Sequence, residues 1–181
     1  METNSSDKVR ELRERRIRLA EEKENRRKRS EVGPSVVEKV NTALGSRLVL
    51  GDFDAEESLP IQFDREPNFR DCSGLVAAHS SEDAIREIAS CCDAISGLMS
   101  GSIGFDEYAY LGTARVQSVT LTSLLDAARA IHDSIMFCPD GSDSIVLLDH
   151  YRVSGIPRDE GFSFIVQGGR LESEYADCFA G

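Results

Sequence analysis

IMFCPDGSDSIVLLDHYRVSGIPRDEGFSFIVQGGRLESEY, residues 135–175, is the stretch that decides the fold. Ile135 to Cys138 is short, β-branched and aromatic, and reads as a strand. Pro139-Asp140-Gly141-Ser142-Asp143 puts Pro, Asp and Gly at turn positions. Ser144 to Tyr151 follows as a second strand. Its unbroken run Ile145-Val146-Leu147-Leu148 predicts burial on both faces. Residues 155–161 form a loop, and Phe162 to Gln167 returns with Phe162, Phe164 and Val166 on one face. Gly168-Gly169 suits a two-residue hairpin turn, after which Arg170 to Tyr175 would pair back. The pattern predicts an antiparallel meander of about four strands.

Upstream, the hydrophobic period changes from two to about 3.6. From Glu82 to Leu98 the apolar residues Ile85, Ile88, Cys92, Ile95 and Met99 recur three and four apart, with Ser80 or Ser81 as cap. A second helix follows Thr120 or Thr122, carries Leu121, Leu124, Leu125, Ala128 and Ile131 on one side, and ends near His132 or Asp133. A third spans 36–44, opened by a Ser35–Glu38 capping box and stopped by Gly45. Arg47 to Leu50 and Ala114 to Val119 read as strands, and Leu59 to Phe63 as an edge strand because of Pro60. Met99 to Gly104 reads as a flexible joint, and Phe105 to Leu111 as an extended segment. The predicted fold is α+β, an antiparallel sheet covered by two or three amphipathic helices.

Charge divides the chain. Residues 1–33 carry eleven Lys and Arg against eight Asp and Glu, a balance of +3. The other 148 residues carry ten against 24, a balance of −14, which brings the whole to −11. The expected division is a charged helical extension, 1–33, and an acidic α+β domain, 34–181, separated at Gly33-Pro34. From Asp7 to Arg29 the extension has no Gly or Pro and consists mainly of strong helix formers. Glu11–Arg15, Glu14–Arg18, Glu22–Arg26 and Glu24–Lys28 are spaced for i,i+4 ion pairs. Its apolar seam of Val9, Leu12 and Leu19 is interrupted by Arg16, with Ile17 and Ala20 to the side, so it is thin for a coiled coil. Arg26-Arg27-Lys28-Arg29 is a run of cations suited to phosphate or nuclear-import recognition, with no aromatic interleaved for base stacking.

The residues give little chemistry. Cys72, His79, Cys91 and Cys92 are metal-ligand types without a zinc spacing, and Cys92 suits the helix core better. His132, Cys138 and His150 flank two strands and could approach one another. Asp149 beside His150 cannot readily orient its ring, because strand neighbours point to opposite faces. No nucleophile elbow or phosphate loop is present, and residues 140–143 are too short for a calcium loop. No catalytic residue, metal or cofactor is assigned. Five cysteines without an apolar leader predict free thiols in the cytoplasm, with the nucleus as an alternative. No stretch is long enough to cross a membrane.

The function expected is that of a non-enzymatic interaction or regulatory protein. It would bind a protein partner, or itself, through Leu12, Arg16, Leu19, Arg26, Arg27, Lys28 and Arg29. Two alternatives are nucleic-acid binding through the basic helix, and inhibition of a basic partner by the acidic domain, as in an immunity-type protein.

Overall fold

The computed structural model describes residues 4–60, 75–152 and 160–180. Among them are five helices and one six-stranded antiparallel sheet, which makes the fold α+β. The helices are α1 (Asn4–Glu31), α2 (Gly33–Leu44), α3 (Glu82–Ser96), α4 (Leu121–Ile131) and α5 (Gly169–Tyr175). The strands are β1 (Leu75–Ser80), β2 (Met99–Phe105), β3 (Ala114–Val119), β4 (Ile135–Pro139), β5 (Ile145–Arg152) and β6 (Glu160–Gln167). Their spatial order is β1-β6-β5-β4-β2-β3.

Register aligns the large apolar side chains in rows. Val76 and Val146 both pair with Val166, and Ala78 and Leu148 both pair with Phe164. Phe137 pairs with Val146 and Ile103. Directly opposed residues share a face, so these rows build one apolar surface. On it α3 packs against β1 and β6, α4 packs against β4 and β5, and α2 lies alongside α4. The other face is not bare. Cys138, Ile145, Ile165 and Ser163 are buried there, and Leu59 lies over Gly104.

The two helices read from periodicity stand where expected, with one change of face. In α3 the buried line is Ile85, Ala89 and Cys92, while Ile88 is half-buried and Ile95 is 48% exposed. Met99 belongs to β2 and not to the helix. In α4 every apolar residue but Ala130 is buried. Its N-terminus is closed by Thr120 and Ser123, each side chain accepting the other's backbone N–H at 3.1 and 3.0 Å. Asp93, near the end of α3, adds its carboxylate to the Leu121 and Thr122 N–H groups at 2.6 and 3.1 Å. An anion there also suits the helix dipole.

Several local expectations are corrected. The segment read as a flexible joint is β2, an inner strand of the sheet. Its glycine permits close approach, since a Cβ at Gly101 would lie 2.3 Å from the Cys138 carbonyl oxygen. Arg47 to Leu50 is not a strand, because Asn41 occupies the backbone of Leu48, accepting its N–H and donating to its carbonyl, both at 2.8 Å. Phe105 to Leu111 ends β2 and closes in a 3-10 turn at Ala109–Leu111. The meander has three strands, not four, because the chain after Gly168 forms α5. Leu171 and Tyr175, one helical turn apart, are both buried. No Ser35–Glu38 box forms, since α2 begins earlier, at Gly33, with Pro34 in its first turn, where no N–H is lost. The strand expected at Leu59–Phe63 and the loop at 155–161 lie largely outside the described residues, as does Cys72.

The expectation of five free thiols fails at one pair. Cys91 faces outward from α3 and is bonded to Cys178 in the 3-10 turn Ala176–Phe179, with Cα atoms 6.0 Å apart. That turn is already drawn toward α3, because the Tyr175 hydroxyl donates to Ser96 at 2.7 Å and Phe179 stacks edge-on against Phe164. Cys92 and Cys138 are both buried. Burial pushes the Cys92 thiol up to about 12, with Asp93 adding to it.

Two measurements check this packing. Ile85→Ala should cost about 3 kcal/mol by denaturant titration, and Ile88→Ala about 1 kcal/mol. Equal losses would misplace the buried line of α3. Peptide mapping without reductant should recover the Cys91–Cys178 link. Cys91→Ser should cost on the order of 4 kcal/mol by loop entropy. Iodoacetamide at mildly alkaline pH should leave Cys92 unmodified until the protein unfolds, because its thiol stays protonated.

Candidate interaction surface

Residues 7–23 of α1 are exposed without exception. Val9, Leu12, Ile17 and Leu19 are between 50% and 63% exposed, an unusual density of bare aliphatics for one helix. Successive residues turn about 100° around an α-helix. On that geometry Lys8, Val9, Leu12, Arg15, Arg16, Leu19, Lys23 and Arg26 share a sector of about 120°. None of the seven carboxylates of α1 falls in it. The helix thus has a cationic, apolar stripe and a separate mixed-charge flank.

The ion pairs anticipated along the helix are replaced by others. Arg10 bridges Asp7 and Glu14 at 3.5 and 3.9 Å, and Arg27 bridges Glu24 and Glu31, both at 2.7 Å. The Arg27 hydrogen bond holds the Glu24 carboxyl below its ordinary value, and Glu24 in turn raises Arg27.

The four consecutive cations have four different surroundings. Arg26 is exposed and lines a groove of about 720 Å³ with Glu22, Asn25, Arg29, Glu56 and Tyr110. Arg27 is held in its two ion pairs. Lys28 is exposed. Arg29 reaches the body, donating to the carbonyls of Leu50 and Leu111 at 3.1 Å each and to that of Phe53. Those carbonyls belong to turns; that of Leu50 also accepts the Phe53 N–H at 3.4 Å, and none takes part in the sheet. Gly33 is buried as well, and a Cβ there would meet Leu50 at 2.9 Å and Leu111 at 3.1 Å. Leu12, Arg16 and Leu19 lie together on the stripe, about 100° around the helix from Arg29.

A second feature was only partly signalled by sequence. His132 and His150 do come together, with Nδ1 atoms 3.4 Å apart, while Cys138 does not join them. They line a cleft of about 360 Å³ with Asp106, Glu107, Asp133, Ser134 and Asp149. His132 ends α4 in the left-handed region, at φ 55°, which sends Asp133 inward. Asp133 accepts the N–H groups of Glu107, Tyr108 and Ser134 at 3.0, 3.2 and 2.7 Å, fixing the segment that follows β2. Burial pushes its carboxyl above the ordinary range, against the pull of those N–H groups. Asp149 accepts from the Ser134 hydroxyl at 2.7 Å and not from His150. His150 is buried and stacks on Phe162. Asp106 and Glu107 carried no sequence signal, being two acids in a strongly acidic chain. Among the described residues no group of three or more His, Cys, Asp or Glu side chains is placed to hold a metal ion. None of their helices is long and apolar enough to cross a membrane.

No protein-family model, curated protein or solved structure matches the chain. The surface chemistry of α1 and of the cleft therefore carries the functional reading.

The anchoring role of Arg29 is separable from the exposed cations. Arg29→Ala should lower stability by about 2 kcal/mol, because three turn carbonyls lose a charged donor. Arg26→Ala should leave the melting temperature within error. Equal effects would remove Arg29 from the packing of α1 on the body.

Proposed function

We propose that this protein is a non-enzymatic interaction protein that holds a protein partner through α1. One observation carries the reading: residues 7–23 are exposed, and Val9, Leu12 and Leu19 share with Lys8, Arg15, Arg16 and Lys23 a face that no carboxylate enters. A helix that needed only to stay soluble has no use for exposed Leu12 and Leu19 at 58% and 54%. Isolated helices of this kind are marginal in water, and burial against a partner supplies what packing on the body does not. The rim of cations selects an acidic surface and speeds encounter with it.

Nucleic-acid binding is the second reading, favoured by Lys8, Arg15, Arg16, Lys23 and Arg26 along one stripe. The −14 balance of residues 34–181 opposes it, since a polyanion is repelled from the body that the helix is attached to.

The test compares the full chain with Leu12→Asp and with an Arg15→Ala, Arg16→Ala, Lys23→Ala variant. Each is used as bait in extract from its own source, and each is titrated with short duplex DNA and single-stranded RNA at several salt concentrations. A protein partner should be lost with Leu12→Asp while the far-ultraviolet helix signal of the body persists. Tight nucleic-acid binding with a steep salt slope, reduced by the alanine variant and untouched by Leu12→Asp, would establish the second reading instead. Retention of every partner by both variants would overturn the role of α1.

A further inference from the structure

Three surfaces could meet the stripe of α1: another α1, a separate polyanion, or the acidic body of a second copy. Pairing of two α1 stripes brings like charges together. Arg16 interrupts the apolar seam, Lys8 and Arg15 flank it, and no carboxylate on the stripe answers them. Apart from Arg26 at its base, which lines a groove with Glu56 and Tyr110, the stripe is left exposed by the body of the same chain, lying about 100° around the helix from Arg29. The body of a second copy is complementary. It carries the −14 balance, and the rim of the histidine cleft is one of its acidic surfaces. Asp106 and Glu107 are exposed there, Asp149 is half-exposed beside them, and none of the three is paired with a lysine or arginine among the described residues.

From this complementarity we infer that the protein forms a dimer in which the α1 stripe of each chain docks on the acidic cleft of the other. The inference rests on the reading of α1 as the binding element. Arg15 and Arg16 meet Asp106, Glu107 and Asp149, where a guanidinium can take two carboxylate oxygens at once. The base of α1 and the cleft adjoin the same segment: Arg29 holds the Leu111 carbonyl, and Asp106 and Glu107 begin the same connection. An exchange of arms about a two-fold axis at that segment satisfies both stripes and both clefts, so assembly stops at two chains.

The experiment uses the full chain and two charge-reversed variants, Arg15→Glu with Arg16→Glu, and Asp106→Arg with Glu107→Arg. Sedimentation equilibrium gives the mass, and thermal melts monitored by circular dichroism confirm that each variant is folded. The parent should have twice the chain mass at moderate salt and dissociate as salt rises. Each variant alone should raise the dimer dissociation constant roughly tenfold or more, as expected for juxtaposed like charges. Mixed one to one, the two variants should form a heterodimer, because reversed arm then meets reversed cleft while native arm meets native cleft. A parent that is monomeric throughout would overturn the dimer and leave the binding role of α1 to its own test with Leu12→Asp. A dimer that persists in both variants, or a mixture that fails to associate, would overturn the proposed contact. If a variant fails to melt cooperatively, Arg16→Glu and Glu107→Arg as single substitutions carry the same comparison.

Discussion

Asp93 holds the structure together at the point where its two principal helices meet. Its two carboxylate oxygens take the first two N–H groups of α4 from a position near the end of α3. That bond fixes where α4 starts, and α4 in turn is the element that β4, β5, α2 and α3 all pack against. A network of longer side chains follows the same line, with Arg86 on Glu82 and Asp126 and Arg129 on Glu82. The buried faces of the helices then match the apolar rows of the sheet. The end of α4 is as well defined as its start: His132 turns left-handed, Asp133 goes inward, and the cleft is formed as a by-product of stopping the helix there.

Much of this order is written in local pattern. The spacing of Leu121, Leu124, Leu125, Ala128 and Ile131 is helical whatever surrounds it, and Thr120 marks its start. Ile135 to Cys138 and Ile145 to Leu148 are strands on composition and length. The failures share a cause, which is that a distant group decides the local conformation. Gly101 and Gly104 read as flexibility when taken alone, but the backbone of β4 and Leu59 lie where their side chains would be. Leu48 has strand-forming neighbours, yet Asn41 already holds both of its backbone groups. Leu171 and Tyr175 are a helical pair only because a pocket for both exists beside β6 and α3. Cys91 and Cys178 are 87 residues apart, and no spacing rule joins them.

The candidate site divides in the same way. Exposed cations and aliphatics on α1 are legible, because a helix without Gly or Pro sets their angular positions by count alone. Within Arg26-Arg27-Lys28-Arg29, however, sequence cannot distinguish the residue that anchors from the ones left free. Only its bonds to the turn carbonyls of Leu50, Phe53 and Leu111 identify Arg29. The cleft is less legible still. The pattern gives His132 as a helix end and His150 as a strand residue, but Asp106 and Glu107 acquire meaning only where β2 and the end of α4 lie together.

The junction between α1 and α2 has a mechanical consequence. Val32 keeps helical angles, its N–H reaches the Lys28 carbonyl at 2.8 Å, and its carbonyl receives Val36 at 3.2 Å. The hydrogen-bond path therefore continues across the joint with hardly a break, and Arg29 and buried Gly33 clamp it on the body side. Such a connection behaves as a bracket and not as a tether. Whatever sits on the outer end of α1 is held about 30 Å along the helix from the clamp at Arg29, in one direction. A flexible leash would let a bound molecule sample many orientations, whereas a bracket imposes one, and tilting that molecule transmits torque into α2 and from there to α4.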